Sequence, residues 1–128
     1  MSLPAGAPPV TFIHTVDRAK AQAFYSDVLG LKLMGADDHA VTYDAGNRTP
    51  LRVTAVPQHK ASGITVLGWH VADITAAVRA LAAKGVAFQR FPGFVQDEDG
   101  VWSSPGGGAK VAWFGDPDGN GLSLTQVG

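Results

Sequence analysis

The chain repeats itself, and that repetition restricts its fold more than any other feature. Residues 10–16 are rich in β-formers, Asp17 follows as a helix N-cap, and Ala21, Phe24, Tyr25, Val28 and Leu29 recur at helical spacing before Gly30. The same order returns later. Residues 66–72 read as a strand, Asp73 as a cap, and Ile74, Ala77, Val78, Leu81 and Ala82 as an apolar helical stripe closing at Gly85. Placing Val10 on Val66 also places His14 on His70 and Asp17 on Asp73, whereas Gly30 and Gly85 fall one residue out of step. Internal duplication is the simplest cause.

Further strands follow each helix. In the first copy they are expected at 32–35, 40–44 and 51–56, and in the second at 86–90, 111–114 and 122–127. A loop-rich stretch, 92–108, precedes the second strand of the latter set. Residues 1–9, with three prolines, read as a flexible lead-in, and 57–63 as a linker. The expected organisation is one domain over 10–128, made of modules 10–56 and 64–128. Its class is α+β: two tandem βαβββ modules form a curved mixed sheet around a central cup, a concavity suited to a small molecule.

Composition narrows the chemistry. Ten Lys and Arg against eleven Asp and Glu leave a net charge of −1, which disfavours nucleic acid and anionic membranes as partners. With no cysteine in the sequence, disulfides, thiolate catalysis and Cys-ligated zinc are excluded. No signal-peptide pattern or long apolar run is present, so a cytoplasmic protein is expected.

Two stretches carry a family resemblance. Asp17-Arg-Ala-Lys-Ala-Gln-Ala-Phe-Tyr-Ser-Asp-Val-Leu-Gly-Leu resembles the helix of the vicinal oxygen chelate superfamily, which includes glyoxalase I, bleomycin-resistance proteins and extradiol dioxygenases. Trp113-Phe-Gly-Asp-Pro-Asp-Gly-Asn-Gly-Leu-Ser-Leu is similar to that family's closing hairpin. The resemblance implies a homodimer and, in metal-bearing members, a four-ligand site. The positions that would supply its ligands are Val10, Val66, Ser123 and the strand around Arg52. None of these offers an imidazole or carboxylate, so no metal and no cofactor are expected.

Polar anchors remain. His14 and His70 stand four positions beyond the vacated ligand sites, and strand alternation turns them to the same face, into the cup. Arg52, in an otherwise apolar strand, presents a fork suited to an anionic group. Ser123 and Trp102 complete the expected lining, with the aromatic loop containing Phe94 and Trp102 as a wall. His39 and His59 read as solvent-exposed, and Trp69 and Trp113 as core or interface. Asp116-Pro-Asp-Gly-Asn-Gly opens like a calcium loop, but Val127 stands where its glutamate belongs, so a hairpin turn is expected. Pro105-Gly-Gly-Gly lacks the Walker spacing and reads as a mobile loop or lid.

The function that fits is metal-independent binding or sequestration of a small molecule. The alternative is a lyase, isomerase or dioxygenase of the same superfamily, using a non-standard metal site or a histidine as general base. A third reading, recognition of a protein partner, would need an exposed aromatic patch.

Overall fold

Each Asp cap works as its sequence position implies. In the computed structural model, which describes residues 2–128, Asp17 and Asp73 share an extended backbone and nearly identical angles (φ −138°, ψ 95° and φ −133°, ψ 97°). Their carboxylates accept from the N–H of Lys20 and Ala76, three residues on, satisfying a first-turn donor in each helix. The chain divides into two compact units, one ending at His59 and the other running from Lys60 to Gly128, a division that falls inside the expected linker. No helix among the described residues is long and apolar enough to cross a membrane.

The first unit contains β1 (Thr11–Thr15), α1 (Arg18–Gln22), which continues as a π-helical segment (Ala23–Val28), β2 (Lys32–Ala36), β3 (Ala40–Asp44) and β4 (Pro50–Ala55). Its sheet runs β1-β4-β3-β2, with β1 parallel to β4 and the other pairs antiparallel. Ile13, Thr15, Val41, Tyr43, Leu51 and Val53 are buried with Ala21 and Tyr25 of the helix, and the Tyr25 and Tyr43 rings lie 6.1 Å apart. The intervening positions Phe12, His14, Arg52 and Thr54 therefore occupy the opposite, open face, Phe12 pairing with Arg52 and His14 with Thr54.

The second unit has the same plan: β5 (Thr65–His70), α2 (Ile74–Ala83), β6 (Trp102–Ser103), β7 (Ala109–Gly115) and β8 (Gly121–Val127), in the order β5-β8-β7-β6 with β5 parallel to β8. The Gln126 side chain of β8 accepts from the Ile74 N–H at the start of α2 (2.9 Å), tying helix to sheet. Ile74, Val78, Ala112, Phe114, Leu122 and Leu124 form the core on the helix side. Side chains of this kind contribute about 1.5–3 kcal/mol each on burial.

Two expectations about the second unit need correction. Residues 86–90 form no strand. The Gln89 N–H does reach the Trp113 carbonyl (2.8 Å), but the side chain of Gln96 takes up the Gln89 carbonyl and the Phe91 N–H (2.9 Å each), groups a strand would offer to a neighbour. The strand that follows α2 is instead the short β6, inside the stretch expected to be loop. The Asp116 turn is as expected: Asp116 Oδ1 accepts from the N–H of Asp118 and Asn120 (2.9 Å each), and Oδ2 from Asn120 Nδ2 (2.8 Å).

Asp37, in the turn between β2 and β3, reaches Arg52 on the open face of the first sheet (Nη2 to Oδ2, 3.4 Å). Its carboxyl is held down to about 2 from an ordinary 3.8, first by the N–H groups of His39 and Ala40 and only then by Arg52. A depressed carboxyl stabilises the fold above its unfolded-state value and loses that contribution as pH falls from about 3.8 to about 2. We expect a carboxyl-carbon NMR titration to place the Asp37 midpoint near 2, and in Arg52→Ala still below 3.8. A return to 3.8 in that variant would assign the effect to the guanidinium instead. A second expectation concerns close approach of β5 and β8. A Cβ on Gly121 would meet the Ile64 carbonyl, which is backbone and cannot turn aside, whereas one on Gly68 would meet the Ser123 hydroxyl, which can rotate. Gly121→Ala should cost about 1–3 kcal/mol and more than Gly68→Ala in urea unfolding, and the reverse order would contradict this packing.

Candidate functional site

The open face of the second sheet can be read from its register. One cross-strand row joins His70, Thr125, Val111 and Trp102, and the next joins Gly68, Ser123 and Trp113. Paired residues share a face, so His70, Ser123, Trp102 and Trp113 all point away from α2. His70 and Trp102 stand on opposite edge strands, about 14 Å apart at the usual strand spacing. Ser123 is the near neighbour of Trp113, and it is buried, its hydroxyl lying against Gly68.

Over one end of this face lies an aromatic cluster. Phe94 contacts Trp102 and Trp113, each with centroids 5.7 Å apart. Phe91 stands edge-on to Trp113 (5.3 Å, 90°) and contacts Phe94 at 5.7 Å, and the two tryptophans are 6.1 Å apart. The loop that carries the phenylalanines is built to hold its shape. Besides its bonds to Gln89 and Phe91, the Gln96 amide donates to the Gly100 carbonyl (2.8 Å), and Asp97 Oδ1 accepts from the N–H of Asp99 and Val101 (2.9 Å each). Arg79 of α2 grips Asp99 with two bonds (3.3 and 3.2 Å), and Arg90 donates to the Glu98 carbonyl (2.9 Å).

Beneath the phenylalanines is a cleft of about 510 Å³. Phe91, Pro92, Phe94 and Trp113 line it with rings, Ile64 with apolar surface, Gln89 and Thr65 with polar groups, and Gly63, Gly119 and Gly121 with backbone. Trp113, expected as core or interface, is half-buried and belongs to this lining. None of His70, Ser123 or Trp102 lines the cleft directly, although Trp102 backs Phe94 and Trp113, and Ser123 pairs with Trp113 across β8 and β7. Gln89 lay in the expected strand 86–90, and Phe91 and the lining glycines had no periodic signal in the sequence. The density of aromatics between residues 88 and 113 was the available clue.

In the first unit, His14 and Arg52 share the open face on neighbouring strands, two residues apart in register. The Arg52 fork already has a carboxylate partner in Asp37. His59, expected in solvent, is half-buried, with its ring edge-on to His14 at 5.6 Å. The chain after β4 brings the two imidazoles together. His39 is exposed, as expected of a turn residue.

The residues at the family's ligand positions do not fit a metal ion. The registers make Arg52 and Ser123 equivalent, since each stands two residues before the threonine that pairs with the histidine of its module. A guanidinium and a buried hydroxyl fill the places of two donors, and exposed valines, Val10 and Val66, the others. Among the described residues, no group of three or more His, Asp or Glu side chains is arranged to hold a metal.

Comparison with known proteins agrees with this architecture. A solved lactoylglutathione lyase from Agrobacterium tumefaciens has 19% identity and a TM-score of 0.71, covering 96% of this chain and 95% of the other. An antibiotic binding protein from a Streptomyces species has 21% identity and a TM-score of 0.71, covering 99% and 100%. A superfamily member from Sphaerobacter thermophilus has 23% identity and a TM-score of 0.71, covering 94% and 97%. At these identities the likeness is one of fold. No curated protein sequence matches the chain. The family model described as the Glyoxalase/Bleomycin resistance protein/Dioxygenase superfamily matches residues 9–124, nearly the whole sequence, and the chain therefore belongs to that superfamily.

Proposed function

We propose that this chain binds and sequesters a small molecule without the help of a metal ion, as a homodimer in the cytoplasm. The aromatic cleft of the second unit carries the reading: its volume of about 510 Å³ falls in the range of about 300–1,000 Å³ usual for small-molecule sites. His70 and Ser123 lie on the same sheet face as Trp113, with Trp102 behind the aromatic wall, and His14 and Arg52 lie on the open face of the first unit. Structurally similar proteins include both an antibiotic binding protein and a lactoylglutathione lyase, so the fold itself hosts binding and catalysis. What favours binding is the donor set. Val10, Arg52, Val66 and Ser123 give a divalent ion no coordination, whereas holding a ligand requires only shape and a few anchors.

The dimer is supported by apolar surface. Phe12 is 63% exposed, and Val10, Val16, Leu33 and Met34 of the same unit are also exposed. A second copy is the occupant that a superfamily member of this kind calls for. Light scattering at micromolar concentration should give twice the monomer mass, and Phe12→Asp should shift it toward monomer. A monomeric wild-type protein would refute the assembly.

Binding itself can be tested with N-phenyl-1-naphthylamine, an uncharged dye that brightens in apolar surroundings. We expect saturable one-to-one binding that EDTA leaves unchanged and that Trp113→Ala weakens at least tenfold. An absence of saturable binding, or binding that appears only with an added divalent ion, would overturn the proposal.

A further inference from the structure

We infer that the cleft selects a flat aromatic ring system without an anionic group and takes it by its π-face. This rests on the binding role proposed above and names the ligand class. Its first support is the lining: among the side chains Ile64, Thr65, Gln89, Phe91, Pro92, Phe94 and Trp113, none carries a charge. A carboxylate entering this space would shed water and meet no opposite charge among the lining side chains, a cost that disfavours anionic head groups.

The acidic run of the adjoining loop does not alter that balance. Asp97 Oδ1 is engaged by the backbone N–H of Asp99 and Val101, and Asp99 by Arg79. Glu98, with its side chain 84% exposed, leaves further negative charge on this loop, which disfavours an anion again.

Flatness follows from the aromatic wall, whose rings sit on a loop held by the Gln96 and Arg79 bonds, so their stacking surface is preorganised. Gly63, Gly119 and Gly121 line the same cleft without side chains, and Gly121 lies so close to the Ile64 carbonyl that no side chain can stand there. A planar ring system can offset-stack on such rings where no side chain projects from the glycines. Gln89 stands at the rim, its backbone already bonded on both sides, and its amide can meet one ring hydroxyl or carbonyl.

The test is displacement of N-phenyl-1-naphthylamine from the intact chain by three compounds of matched skeleton: 1-naphthol, decahydro-1-naphthol and 1-naphthoate. The expected result is that 1-naphthol displaces the dye at a concentration at least tenfold lower than either of the others. Trp113→Leu and Phe94→Leu, each checked for folding by circular dichroism, should bring the naphthol-to-decahydronaphthol ratio toward one. Phe94 is half exposed, which keeps the second variant foldable if the first is not. Equal displacement by the saturated alcohol, or stronger displacement by the carboxylate, would overturn the aromatic selection and leave small-molecule binding standing. Failure of the dye and of all three compounds to bind would overturn both.

Discussion

The parallel pairing of the first and last strands within each module is the constraint on which the rest depends. β1 joins β4, and β5 joins β8, at the centre or edge of sheets that are otherwise antiparallel meanders. A parallel pair cannot be closed by a tight turn, so each module must spend its intervening chain on a helix and two more strands, and that chain covers one face. The uncovered face is then fixed by alternation. His14 stands beside Thr54 and His70 beside Thr125, with the Phe12–Arg52 and Gly68–Ser123 pairs one step along. Alternation thus places His14, Arg52, His70, Ser123, Trp102 and Trp113 on the uncovered faces, whereas Phe91 and Phe94 are brought by the loop between α2 and β6.

Much of this architecture was legible. The Asp caps, the apolar stripes and the helix-ending glycines each rest on local chemistry that sequence spacing reports directly. Even the one-residue mismatch between Gly30 and Gly85 now has a physical account. The first helix passes into a π-helical segment, closed by Leu29 N–H to the Phe24 carbonyl at 2.9 Å, and a wider turn absorbs one extra residue. The second helix has no such turn. The discrepancy in the alignment was thus a structural signal, although spacing alone could not say which helix carried it.

The candidate site was less legible, because its geometry depends on side chains replacing backbone partners. The alternation of Val86, Phe88 and Arg90 has the period of a strand, and Phe88 does pack on Phe114 at 5.3 Å. Gln96 nevertheless captures the backbone groups that would have extended the pairing, and so converts a would-be strand into a rigid loop bearing Phe91 and Phe94. No periodicity foretells a single glutamine acting this way. Likewise β6, two residues between Gly/Asp-rich and Pro/Gly-rich segments, is too short to show alternation. Its consequence is large, because it sets Trp102 beside Trp113.

The two modules share a topology and have diverged in volume at equivalent places. Where the first presents Phe12 beside Arg52, the second presents Gly68 beside Ser123, so a bulky pair has a counterpart close to the smallest possible. The bulky pair leaves Phe12 exposed and binds its own guanidinium to Asp37. The small pair leaves β5 and β8 almost in backbone contact, with Ser123 buried under Gly68 and Gly121 against Ile64. On the same face the Phe91–Phe94 loop packs on Trp113, and these rings line the cleft. Valine, arginine and serine stand where the resemblance places the family's ligands, and under the proposed binding role the aromatic wall of the second module makes the ligand contacts.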